Sequence, residues 1–158
     1  MIKLTVADVM TTPVMTVAED WTLPALATFF IENNVSGAPV TSVTGELVGV
    51  VSMTDIVRHD STPAQDGGAR DTHEYYLASS GRRYTDEEMQ GFHIENGSGV
   101  TARDLMTPML FQVAGDATVQ EVADMMVRGG IHRVLVTRHK KLMGIVTALD
   151  MLKVVRDL

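Results

Sequence analysis

Two stretches of this chain carry the same chemistry at the same spacing. Gly49-Val50-Val51-Ser52-Met53-Thr54-Asp55 and Gly144-Ile145-Val146-Thr147-Ala148-Leu149-Asp150 each run from a glycine through apolar residues to a hydroxyl, with an Asp three residues further on. The apolar run reads as a strand, and the Asp falls in the first turn of a helix. A helix N-terminus presents unpaired N–H groups and a partial positive charge, both favourable for a phosphate. A carboxylate there can also accept hydrogen bonds from two adjacent hydroxyls, the arrangement found on a ribose. Gly49 and Gly144 lack a Cβ, so another backbone or a flat ring can approach closely. The combination suits a ribonucleotide. Ser/Thr-x-x-Asp is also an ordinary capping device that binds nothing; its recurrence at matching places is what favours a ligand.

The elements that position these residues are themselves duplicated. Thr5-Val6-Ala7-Asp8-Val9-Met10-Thr11 lines up with Thr101-Ala102-Arg103-Asp104-Leu105-Met106-Thr107, and the register continues through Val17-Ala18 and Val113-Ala114, Thr22 and Thr118, and Val40-Thr41 and Val136-Thr137. After one dropped residue, Leu47, Gly49, Val51 and Asp55 match Leu142, Gly144, Val146 and Asp150. Each copy opens with a hydroxyl and an acid three residues on, which predicts a short capped turn. A brief extended piece follows, then a helix. Thr118 and Glu121 form a capping box for the second of these helices, and Pro24 suits the first turn of the first. Apolar stripes (Leu23, Leu26, Ala27, Phe30, Ile31; Val122, Met125, Met126, Val127) give these helices an inner face, and Asn33-Asn34 and Gly129-Gly130 end them. Two strands come next, Val35 to Val40 with Leu47 to Val51, and Ile131 to Val136 with Leu142 to Val146. Their turns fall at Val43-Thr44-Gly45 and near His139-Lys140. A closing helix starts near each Asp, carrying Ile56-Val57 and Met151-Leu152-Val154-Val155 inward.

The expected class is therefore α/β (α+β): two pseudo-symmetric β-α-β-β-α units, residues 1–59 and 101–158, packed sheet to sheet. An insert at 60–100 separates them, with short helices expected at Glu74 to Leu77 and Thr85 to Met89, and a polar, turn-forming stretch at Ser61 to Gly68. Hydrophobic residues make up 45% and charged residues 21%, an ordinary soluble balance. A net charge of −7 speaks against binding a nucleic-acid backbone. No apolar run approaches the ~20 residues of a membrane span, and the N-terminal segment does not read as a secretory signal, so a cytoplasmic protein is expected. The absence of cysteine excludes disulfides and thiolate chemistry.

The ordered set resembles a tandem pair of cystathionine β-synthase (CBS) domains, the pair often termed a Bateman module. The resemblance rests on Asp8-Val9-Met10-Thr11 and Asp104-Leu105-Met106-Thr107-Pro108, on Val35-Ser36-Gly37-Ala38-Pro39-Val40 and Ile131-His132-Arg133-Val134-Leu135-Val136, and on the two Gly…Asp segments. It implies a regulatory, non-catalytic module binding an adenosine-containing molecule (AMP, ADP, ATP or S-adenosylmethionine) in clefts between the units. Asp55 and Asp150 would hold ribose hydroxyls. Ser52, Thr54 and Thr147 would contact ribose or phosphate, and His132 and Arg133 phosphate. Thr12, Pro13 and Val14, Pro108 and Leu110, and Gly37 and Ala38 would form the adenine pocket. The resemblance also implies a homodimer and an effector protein that the sequence does not identify. His132 reads equally as a polar residue capping a sheet edge, whereas Arg133 on a buried strand calls for an anionic partner. The His, Asp and Glu residues of the insert match no metal-ligand spacing, and no nucleophile–base set can be assembled, so neither a metal, a catalytic cofactor nor an enzyme is expected. The alternative is a ligand-free dimerisation scaffold.

Overall fold

The computed structural model describes residues 3–61, 74–77, 99–108 and 110–158. In the first repeat a short turn of helix, α1 (Val6–Val9), precedes β1 (Val17–Ala18), α2 (Leu23–Asn33), β2 (Gly37–Thr41), β3 (Leu47–Ser52) and α3 (Met53–Ser61). A one-turn helix, α4 (Glu74–Leu77), follows. The second repeat runs α5 (Ala102–Leu105), β4 (Gln112–Ala114), α6 (Val119–Gly129), β5 (Arg133–Arg138), β6 (Lys141–Thr147) and α7 (Ala148–Arg156). The β-α-β-β-α order read from the sequence is present in both copies. Local chemistry explains the boundaries. Pro24 stands in the first turn of α2, and Asn34 (φ 53°) and Gly130 (φ 59°) end α2 and α6 in the left-handed region that closes helices. Thr118 accepts from the Glu121 N–H while the Glu121 carboxylate accepts from the Thr118 N–H at 2.7 Å, so the capping box of α6 is complete. His139 and Lys140 both adopt positive φ, which matches the twist of a tight hairpin between β5 and β6.

Each repeat builds a three-stranded sheet, β1-β2-β3 and β4-β5-β6, with the first pair parallel and the second antiparallel. The central strands β2 and β5 are buried over three consecutive residues, Ala38-Pro39-Val40 and Val134-Leu135-Val136, as strands covered on both faces are. A register shift falls between Val40 and Thr41 and again between Val136 and Thr137, the same place in each repeat.

The chain divides into two compact units, and these exchange the openings of the repeats. One unit is built from Met1–Met15, Tyr76–Gly81 and Leu110–Leu158, the other from Thr16–Tyr75 and Arg82–Met109. In the latter, Leu23 donates to the Val100 carbonyl at 3.1 Å, Ala102 to Trp21 at 2.8 Å and Arg103 to Glu19 at 2.9 Å. In the former the equivalent residues repeat the pattern: Val119 donates to Leu4 at 3.2 Å, Val6 to Ala117 at 2.8 Å and Ala7 to Gly115 at 3.0 Å. Thr11 then bridges Ile145, and Thr107 bridges Val50, each antiparallel. Each opening segment is thus a strap laid on the other repeat's sheet.

The strap explains the paired glycines. A Cβ on Gly144 would lie 2.6 Å from Met10 Sδ and 3.1 Å from the Thr11 carbonyl oxygen; one on Gly49 would lie 2.8 Å from both Met106 Sδ and the Thr107 carbonyl oxygen. Of the two approaches the sequence allows, backbone or flat ring, backbone is present. The Met of each Asp-x-Met-Thr segment packs on the glycine of the other repeat.

Four apolar residues assigned to inner faces point outward instead. Ile31 and Val127 are exposed, as are Leu152 (62%) and Val155 (64%) on α7. Helix α7 has two apolar stripes, and the one containing Met151 and Val154 faces inward, beside the buried Asp150. In α2 and α6 the buried stripe stops one position short, at Phe30 and Met126. Helix α4 lies where the insert reading put it; residues 62–68 and the helix expected at Thr85 to Met89 lie outside the described residues.

Candidate functional site

The duplicated hydroxyl–Asp pair sits at the strand-to-helix corner in each unit. At the first corner the Asp55 carboxylate accepts, through Oδ2, the Ser52 N–H at 2.7 Å and the Ser52 hydroxyl at 3.2 Å. At the second, Asp150 Oδ2 accepts the Thr147 N–H at 2.9 Å and its hydroxyl at 3.0 Å. The hydroxyl oxygens accept the Asp N–H in return, at 3.4 and 3.3 Å. Both acids therefore complete capping boxes, the ordinary role of Ser/Thr-x-x-Asp, and one oxygen of each serves that purpose. A carboxylate has about four acceptor positions, so capping by one oxygen does not exhaust the group.

The second corner carries a further contact that the sequence reading missed. Lys153 Nζ donates to Asp150 Oδ1 at 3.1 Å, with the Asp150 side chain 6% exposed and the lysine side chain about half exposed. Both oxygens of Asp150 thus have protein partners. The i,i+3 spacing of Asp and Lys on one helix face was the available signal.

The exchanged straps sort the remaining candidates. Thr12, Pro13 and Val14 belong to the unit that holds Leu110, His132, Arg133, Thr147 and Asp150. Pro108 belongs with Gly37, Ala38, Ser52, Thr54 and Asp55. Within the first group, Arg133 faces Thr147 across the β5–β6 ladder and is half-buried, not fully buried as a core strand position would be; His132 is exposed. The His132 main chain ties three elements together, its N–H donating to the Tyr76 carbonyl and its own carbonyl accepting from Ala148. In the second group Gly37 faces Ser52, and Ala38 and Ser52 are buried.

Helix α4 adds two tyrosines that the sequence reading did not connect to any site. The Tyr75 ring packs on Gly37: a Cβ there would come within 2.8 Å of Tyr75 Cδ2. Tyr76 is fully buried, its hydroxyl accepting the Phe111 N–H at 3.2 Å and its ring meeting Phe111 edge-on with centroids 4.9 Å apart.

Four other carboxyls have structural partners. Asp8 and Asp104, at the strap turns, accept the N–H and hydroxyl of Thr5 and Thr101, which hold both carboxyls below their usual value. The Thr118 N–H, with its hydroxyl, does the same for Glu121. Glu19 is lowered chiefly by its bond to Arg103, at 2.8 Å, whose own value is raised. Among the described residues no group of three or more His, Asp or Glu side chains is placed to hold a metal ion, and no helix is long and apolar enough to cross a membrane. Asp66, Asp71, His73 and His93 of the insert lie outside the described residues.

Comparison with known proteins gives this arrangement a family. The model of the family described as CBS domain matches residues 6–62 and again 102–157. An uncharacterized protein, MJ1426, of Methanocaldococcus jannaschii is 31% identical over 154 residues, spanning 94% of this chain and 89% of its own. Among solved structures, CBSX2 in complex with AMP superposes with a TM-score of 0.67 at 24% identity, covering 98% of this chain and 97% of that one. The CBS domain pair of MJ0100, in complex with 5′-methylthioadenosine and S-adenosyl-L-methionine, gives 0.63 at 19%, covering 98% of each. The fold is that of a CBS domain pair, and this chain, with two matches to the family in tandem, belongs to the CBS-domain family.

Proposed function

We propose that the chain is a non-catalytic regulatory module that binds an adenosine-containing ligand. The observation that carries this reading is the duplicated carboxylate at the first turn of α3 and α7, each fixed through one oxygen by its own cap and so pre-oriented. Preorganised acceptors of this kind lose little freedom when they take hydroxyl donors from a ribose. AMP on one structural neighbour and S-adenosyl-L-methionine on another support the ligand class.

The second corner calls for a phosphorylated ligand. Around Asp150, Lys153 and Arg133 supply positive charge, and a phosphorylated ligand (AMP, ADP or ATP) fits such surroundings better than the cationic sulfonium of S-adenosylmethionine. Lys153 leaves Asp150 Oδ1 for the phosphate as the ribose arrives. Thr12, Pro13 and Val14 line the base there, with Thr147 and His132 near the sugar and phosphate. Around Asp55, Ser52 and Thr54 supply hydroxyls, and Arg58 stands three residues on, at the place Lys153 takes after Asp150. The bound module signals to an effector protein, as a cytoplasmic homodimer.

A second reading, a ligand-free dimerisation scaffold, is favoured by the outer face of α7, where Leu149 (51% exposed), Leu152 and Val155 form an apolar stripe. Thermal melting with AMP, ATP and S-adenosylmethionine separates the two. A ligand at one hundred times its Kd stabilises by about 2.7 kcal/mol, a clear upward shift in Tm. A melt unmoved by all three compounds selects the scaffold.

A further inference from the structure

We propose that Tyr75 is an internal occupant of the adenine wall at Gly37, so that an adenosyl ligand must displace its ring to bind there. The inference rests on the ligand reading above and adds to it a competitor supplied by the chain itself.

The ring of Tyr75 lies directly on the Gly37 main chain, closer than any side chain on residue 37 would permit. Tyr75 is 4% exposed, and its neighbours Ala38 and Ser52 are buried. Stacked carbon atoms sit about 3.5–4.0 Å apart. A ring already touching Gly37 therefore leaves no layer for a base between them. Tyrosine and adenine are both flat and apolar on their faces, and bases stack readily on aromatic side chains. One can take the other's place.

The holder of the ring is suited to exchange. Helix α4 has four residues, too few to be stable by its own hydrogen bonds, so its placement depends on what its side chains touch. Tyr76 is the anchor: its carbonyl accepts the His132 N–H at 2.8 Å, and its hydroxyl and ring hold Phe111. The device belongs to the first repeat alone, because the equivalent of Gly37 in the second is Arg133, which has a side chain where the tyrosine ring would lie.

The test is calorimetric titration of the full chain with AMP, and with S-adenosylmethionine in parallel, for the wild type, Tyr75→Ala and Tyr75→Phe. A site that is closed most of the time binds more weakly in proportion to its open fraction, so opening it tightens binding by about tenfold or more. Tyr75→Ala is expected to show that gain, or a further bound equivalent, and Tyr75→Phe to behave as wild type. Equal affinity and stoichiometry in wild type and Tyr75→Ala, or weaker binding by Tyr75→Ala, overturns the occupant and leaves the ligand reading standing. No binding by any of the three proteins overturns both. Hydrogen exchange of residues 74–77 in the wild type gives a second measure that needs no variant. Exchange there rises with saturating AMP if the Tyr75 ring is displaced, and unchanged exchange with AMP bound contradicts the proposal.

Discussion

Adding one methyl group at Gly49 or Gly144 tests the strap exchange. The Cβ of Gly49→Ala meets Met106 Sδ and the Thr107 carbonyl oxygen, both at 2.8 Å. The thioether can rotate away, whereas the carbonyl belongs to a main chain held by the Thr107–Val50 pair of hydrogen bonds (2.8 and 3.0 Å). At Gly144 the tight atoms, at 2.6 and 2.9 Å, are both in the Met10 side chain, and the nearest backbone atom is at 3.1 Å. Overpacking costs about 1–3 kcal/mol, and Gly→Ala returns about 0.4–1 kcal/mol through the unfolded chain. The expected net loss is about 1–2 kcal/mol for Gly49→Ala and about 0–1 kcal/mol for Gly144→Ala. At about 2–4 °C per kcal/mol for a chain of this size, Gly49→Ala lowers Tm by about 2–8 °C. Double-mutant cycles sharpen the contrast: Met10→Ala rescues Gly144→Ala nearly in full, while Met106→Ala leaves the carbonyl clash in Gly49→Ala. Urea and thermal melts of the set decide it. Alanine tolerated equally at both positions, or full rescue of Gly49→Ala by Met106→Ala, refutes the packing argument.

Acid should unfold the protein through its caps and the Glu19–Arg103 pair. Asp8, Asp104, Glu19 and Glu121 have carboxyls below their usual values, so the folded chain binds fewer protons than the unfolded one as pH falls. Their stabilisation is complete above the ordinary carboxylate range and is lost as pH drops through it toward the lowered values. Tm against pH is expected to be level near neutrality and to fall on acidification, less steeply in Glu121→Gln; an acid limb unaltered by that change contradicts the assignment. Arg103→Ala leaves the nearly buried Glu19 carboxylate without its partner and lowers Tm, whereas Arg128→Ala, which breaks an exposed i,i+4 pair with Asp124, leaves Tm unchanged; equal effects would show that burial of Glu19 does not matter. Lys153→Met weakens AMP binding more than S-adenosylmethionine binding; the reverse order in calorimetry removes Lys153 from the phosphate.

What the sequence makes legible is local. Thr118 with Glu121, Pro24, and Asn34 and Gly130 announce their roles because capping and termination are settled within a few residues. The repeat order was legible for the same reason, twice over. The strap exchange was not, since Val6 and Ala102 carry the same pattern and periodicity cannot say which copy of a duplicated partner each will join. The glycines gave a partial signal: Gly49 and Gly144 announced a close approach without naming the Met that makes it. Leu152 and Val155 show the converse limit, because α7 has two apolar stripes and composition alone cannot orient them. At the site, the hydroxyl–Asp corners were visible, but Tyr75 lay in a segment whose pattern says nothing of where its ring goes.

The direct measurement is calorimetric titration of AMP into the wild type and into Asp55→Asn and Asp150→Asn. Asparagine keeps an amide oxygen that can accept the Ser52 or Thr147 N–H and hydroxyl, so the substitutions retain the capping-box acceptor and remove the charge that a ribose would meet. A hydrogen bond to a charged group contributes about 1.5–3 kcal/mol, equivalent to about ten- to a hundredfold in affinity. The account predicts that the wild type binds and that at least one of the two variants loses affinity on that scale. Binding of undiminished strength in both would contradict it.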